Sequence, residues 1–227
     1  MRIVVTHVTQ MGENHVCVAG IDDTHYHVRP QTLSGRALGP ETLLENGGPF
    51  ELGLEVALGA GTPRPVPPHV EDFVCDPYIA EVLRPVPPTE FWSLIREVSQ
   101  PSLREIFGEA LHLWHDHWVT ECGQGTRSLG FLRPEAAELR LSPEEKPRVL
   151  LSNGIDVALN DLRFHMPQGA TVVELLDATN RRIRAGEDLI LGVGLTRFYD
   201  DPGYHFLQVT GVFLHDSPLN LTGPEDY

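Results

Sequence analysis

Apolar and polar positions alternate from the start of the chain. In RIVVTHVTQ the apolar positions are Ile3, Val5 and Val8, MGEN supplies a turn, and HVCVAGID is a second run of small and β-branched residues. After a turn at Asp22-Asp23-Thr24, HYHVRP is a third short run stopped by Pro30, so the first thirty residues predict an antiparallel three-strand meander. Alternation returns in LGLEVALGAG, with Leu54, Val56 and Leu58 on one face. Thr62 to Pro88 then holds eight prolines, which cannot donate to a central ladder and make this stretch an extended border.

Past the border the period changes. Phe91, Trp92, Leu94, Ile95 and Val98 fall at helical spacing with Thr89 as N-cap, and Ser102 three residues before Glu105 starts a second helix, read as extending through ALHLWHDHW. From Arg148 short β-rich runs return, separated by Asn-Gly, Pro-Gln-Gly, Ala-Gly-Glu and Asp-Pro-Gly turns. TVVELLDAT fits either a strand or a short helix, and DDPG joins the last two runs as a hairpin. The fold predicted is mainly β with a helical insert: a first barrel with its proline-rich border over residues 1–88, a helical connector over 89–133 and a second barrel over 134–227.

Composition narrows the function classes. The 227 residues carry 17 basic and 32 acidic side chains, a formal charge of −15 spread over all thirds of the chain, which excludes a globally basic nucleic-acid binder and confines any anion site to a local cluster. Three separated cysteines, Cys17, Cys75 and Cys122, with no CxxC pair, point to reduced thiols and a cytoplasmic setting. No run approaches the roughly 18 to 20 apolar residues of a membrane span, and the N-terminus lacks the apolar core of a signal peptide.

Taken in order, RIVVTHVT, HVCVAGID, HVRP, PPHVED, SLREIFG, RSLGFL, NDLRF, LILGVGLTRF and YHFLQVTGVF resemble the dual OB-containing domain family of prokaryotes. The resemblance implies two OB-like β-barrels and a role in nucleic-acid binding or in defence against foreign DNA. One departure is that an aromatic is expected before the VRP motif, where this chain has His27.

Several constellations carry chemistry. As a strand, HYHVRP places His25 and His27 on one face beside Arg29, a face suited to stacking on bases and pairing with phosphate, with a solvated face next to a turn as the alternative. Arg181, Arg182 and Arg184 in RRIRAG, with Arg163, Arg197 and Tyr199, are expected to line one groove of the second barrel, unless Glu187 and Asp188 neutralise them. The nucleic-acid-binding set is therefore His25, His27, Arg29, Arg163, Arg181, Arg182, Arg197 and Tyr199, for a single-stranded nucleic acid or a nucleotide. PPHVED brings together His69, Glu71 and Asp72, read chiefly as carboxylates that cap backbone amides or pair with an arginine, and alternatively as the metal site of an enzyme acting on a nucleotide or phosphate ester. In HLWHDHW a helix would put His112 and His115 on one face and bury Trp114 and Trp118 as a stripe. No phosphate loop, nucleophile elbow or dinucleotide fingerprint is present, so no catalytic residue, metal or cofactor is assigned; a protein partner is the third functional class.

Overall fold

The alternating N-terminal runs pair as their pattern requires. The computed structural model describes residues 1–11, 14–34, 37–165, 170–197 and 203–221. Strands β1 (Arg2–Met11), β2 (His15–Asp22) and β3 (His27–Gln31) form the predicted antiparallel meander. They are joined by β4 (Leu54–Ala57), β5 (Gly61–Pro63), β6 (Asp72–Cys75) and β7 (Glu81–Pro85) in the order β5-β6-β3-β2-β1-β4-β7. The proline-bearing strands β5 and β7 sit at the two ends of this curled sheet, where a missing amide hydrogen breaks no ladder. Ile3, Val5, Val18, Phe50, Val56 and Leu58 fill its core.

The second sheet contains β8 (Ser99–Gln100), β9 (His112–Trp114), β10 (His117–Glu121), β11 (Leu129–Leu132), β12 (Ala137–Leu141), β13 (Pro147–Leu151), β14 (Asp156–Leu159), β15 (Leu189–Leu195) and β16 (Tyr204–Leu214). Its main path is β12-β13-β14-β16-β15-β11-β8, and the β9–β10 hairpin branches from β16. The last two runs do pair antiparallel, although the DDPG turn between them falls largely outside the described residues.

Helices occupy the joints. Helix α1 (Pro88–Glu97) turns Phe91, Trp92 and Ile95 into a small core shared with Ile21 of the first sheet and Phe131, Ile190 and Phe213 of the second. Its N-cap is Pro87 rather than Thr89, and Pro88 takes the first helical position, where its lack of an amide hydrogen costs nothing. Ser102 caps α2 (Leu103–Phe107) by accepting from the Glu105 amide at 3.2 Å. A one-turn helix, α3 (Leu162–His165), precedes α4 (Val172–Arg184), so TVVELLDAT is helical and is capped by a Thr171–Glu174 box.

The helix read through ALHLWHDHW is corrected. Gly108, at φ 68°, ends α2, a 3₁₀ turn follows over Gly108–Ala110, and the β9–β10 hairpin then forms around His115 and Asp116. Period-2 alternation on either side of a two-residue turn prevails over the helical spacing of the two tryptophans. The span 89–133 thus combines helices with four strands of the second sheet. Among the described residues no helix is long and apolar enough to cross a membrane.

Candidate nucleic-acid interface

Of the eight residues expected at a binding surface, the seven that are described are dispersed apart from Arg29 and Arg197. His25 sits in the turn before β3 at φ 66°, with its Nδ1 3.3 Å from Glu97, so it does not share a strand face with His27. His27 packs its ring against Phe131 and His7, and burial, followed by the charge of Arg127, lowers its pKa to about 3. Arg163 is a chain staple: it grips Asp161 and donates to the carbonyls of Val212, Pro218 and Leu219. Arg182 pairs with Glu187 at 2.6 Å, and Arg181, Arg182 and Arg184 form the last turn of α4, where cations suit the helix dipole. Tyr199 lies outside the described residues.

Arg29 and Arg197 are brought together, from opposite sheets. Arg29, 2% exposed, donates from Nε to Asp72 Oδ1 at 2.8 Å and from Nη2 to Ser128 Oγ at 3.1 Å. Arg197 donates to the same Asp72 oxygen at 2.7 Å. Glu71 accepts from the Ser128 and Leu129 amides at 2.6 and 3.1 Å and from Ser128 Oγ at 2.8 Å. The carboxylates of PPHVED thus cap amides and pair with arginines, the structural arrangement expected of them. Burial and the neighbouring Arg29 push Arg197 below its ordinary pKa despite the pull of Asp72. Arg197 is the partly solvent-facing member of the pair, with its side chain 28% exposed. It lines a cleft of about 280 Å³ with His15, Cys17 and Gln31.

The larger aromatic surface lies on the branch hairpin. Pairing sets Trp114 opposite His117, His112 opposite Val119, and Val119 opposite Phe206, while Glu121 faces Tyr204. Residues opposite one another share a face, and so do alternate residues of a strand. His112, Trp114, His117, Tyr204 and Phe206 therefore occupy one face, with His117 exposed and the other four half-buried. Trp114 and Tyr204 lie 4.7 Å apart, His112 and Tyr204 6.2 Å, and His117 and Phe206 5.5 Å. The opposite face carries Trp118, Thr120 and His205 toward the second core, so the two tryptophans point apart. Reading HLWHDHW as two strands around a two-residue turn would have found this face from sequence.

At the edge of the hairpin, His205 Nδ1 lies 2.8 Å from the Thr196 carbonyl and 3.2 Å from His69 Nε2, and its Nε2 lies 3.4 Å from Cys122 Sγ. Burial lowers the pKa of His69 strongly, with Arg29 and Arg197 adding to the effect, and burial lowers that of His205 as well. Among the described residues no group of three or more His, Cys, Asp or Glu side chains is placed to hold a metal ion.

No curated protein and no solved structure shows significant similarity to the chain. The family model of the dual OB-containing domain matches residues 1–212. That match takes in strands of both sheets and the helices at their joint, and the chain belongs to the dual OB-containing domain family.

Proposed function

We propose that the protein is an OB-fold binding module for unpaired nucleic acid or a nucleotide, with bases stacking on the β9–β10–β16 face. The observation that carries this reading is the two groups of rings, His112, Trp114 and Tyr204 and then His117 and Phe206, on one partly exposed sheet face. Every base has a π-face, so such a platform holds single strands with little demand for sequence. The cleft at Arg197 supports the same reading, because a guanidinium sharing one carboxylate with a second guanidinium retains attraction for an anion. Duplex coating does not fit a chain of charge −15, which offers no continuous basic track.

The test is fluorescence anisotropy of a labelled ten-nucleotide single strand at 50 mM salt, with a duplex of the same length as control. Binding to the single strand is expected to weaken with salt, and Trp114→Ala to weaken it between about fivefold and a hundredfold, the range for losing one stacked base. No binding of single-stranded DNA or RNA at low salt overturns the proposal.

One observation favours a protein partner as a second reading. Edge strand β7 exposes Val82 and Leu83, next to exposed Tyr78 and Ile79, and an open edge can receive a strand from another chain. If no oligonucleotide binds, this edge becomes the leading surface.

A further inference from the structure

Cys122 follows β10 directly and is exposed, whereas Cys75 is buried and Cys17 lies in the Arg197 cleft. Its sulfur faces His205 Nε2 at 3.4 Å. The protonation of that imidazole follows from its other nitrogen. A carbonyl oxygen has no hydrogen to give, so Nδ1, 2.8 Å from the Thr196 carbonyl, carries the proton. Nε2 of the neutral ring then presents a lone pair to the thiol. His69, 5% exposed, closes the site from the interior with its ring edge-on to His205 at 4.6 Å, and its Nδ1 has no hydrogen-bond partner.

We propose that Cys122 is a nucleophilic thiol with His205 as its general base, a site of covalent reaction with carbon electrophiles activated by an adjacent carbonyl. The arrangement is that of an activated nucleophile: a thiol, a base within reach, and a third group fixing the base. Partial desolvation raises the thiol of the otherwise exposed Cys122 above its ordinary pKa, so little thiolate is present at neutral pH without a base. Burial also keeps His205 in its neutral, proton-accepting form. With iodoacetamide the step balances: the Sγ–C bond forms, the C–I bond breaks and iodide leaves with the electron pair. The thiol proton passes to His205 Nε2 and then to water. The site is independent of whatever the aromatic face binds.

The experiment alkylates the full chain with iodoacetamide between pH 6 and 9 and follows each cysteine by peptide mass spectrometry. Cys122 is expected to react faster than Cys17 at pH 7, and its rate to rise with pH by less than tenfold per unit. His205→Asn is expected to slow Cys122 at least about tenfold at pH 7. It should also restore the tenfold-per-unit rise of an isolated thiol while leaving Cys17 unchanged. Alkylation of Cys75 reports whether the variant remains folded. If it does not, the wild-type protein decides alone: transfer of the proton to a neutral imidazole during attack predicts a Cys122 rate that rises by less than tenfold per unit across the range. A Cys122 rate unaffected by the substitution in the folded variant, or a wild-type profile rising tenfold per unit, overturns the proposal.

Discussion

A histidine held away from water must do without its charge, and three besides His205 do so here. His7, His27 and His69 are held well below the ordinary imidazole range, each chiefly by burial, with neighbouring positive groups adding to the effect. His7 also bridges the two sheets, its Nδ1 lying 2.9 Å from Thr210 Oγ1, and Gly192 makes that approach possible: a Cβ there would stand 2.9 Å from the His7 ring. Above about pH 6.5 neither the folded nor the unfolded chain protonates these rings, and their contribution to pH dependence vanishes. As pH falls below that value the unfolded chain takes up protons that the folded protein refuses, so stability drops by about 1.4 kcal/mol per pH unit for each such histidine. For His27 the loss continues until its folded value of about 3. His27→Phe keeps a ring against Phe131 and removes one refused proton. Urea unfolding at pH 7.5, 6 and 5 should show similar stability at the highest pH and a shallower acid slope by about one proton. An unchanged slope would mean that His27 is protonated in the folded state.

At the scale of elements, what the sequence made legible follows period and punctuation. The N-terminal meander, the proline edges and α1 were readable because β-branched alternation, missing amide donors and an apolar stripe are local properties. The β9–β10 hairpin was misread because Trp114 and Trp118, four apart, mimic a helix when their pairing partners are unknown. The seam was half legible: PPHVED announced structural carboxylates, but nothing near Glu71 in the sequence points to Ser128. Arg29, His27 and Arg163 looked like ligand contacts because sequence does not show burial, and each is engaged within the protein. Helix α4 shows local signals acting together. Thr171 Oγ1 accepts from the Glu174 amide at 3.2 Å, the Glu174 carboxylate accepts from the Thr171 amide at 2.7 Å, and three arginines close the last turn. Thr171→Ala removes one half of this box and should cost about 1 kcal/mol, read as a shift in the urea midpoint at constant slope. A loss below about 0.3 kcal/mol would show that packing of Leu175 and Leu176 alone fixes the helix start.

For the whole molecule, the decisive question is what makes two sheets one body. Apolar contacts at the joint, around Phe91, Phe131 and Phe213, supply area without direction. Direction comes from the polar seam, in which Glu71 beside β6 satisfies two amides and a hydroxyl at the entrance of β11, while Asp72 holds one arginine from each sheet. Glu71 is 9% exposed, so water cannot readily replace it. Glu71→Ala would leave the Ser128 and Leu129 amides without their acceptor and Arg29 with one carboxylate fewer nearby, a loss expected to reach about 3 to 5 kcal/mol. Glu71→Gln keeps the one oxygen that serves both amides but turns an N–H₂ toward the Ser128 hydroxyl, which already accepts from Arg29, so it should fall between alanine and the parent protein. Urea unfolding followed separately by tryptophan fluorescence and by far-ultraviolet dichroism measures both size and mode. The parent protein is expected to give coincident transitions, as a seam linking both sheets requires. If Glu71→Ala costs less than about 1 kcal/mol and the transitions still coincide, the apolar joint suffices and the seam serves another purpose. If they separate, the carboxylate is the group that makes the two sheets unfold together, and the Arg197 cleft should lose its shape at the lower transition.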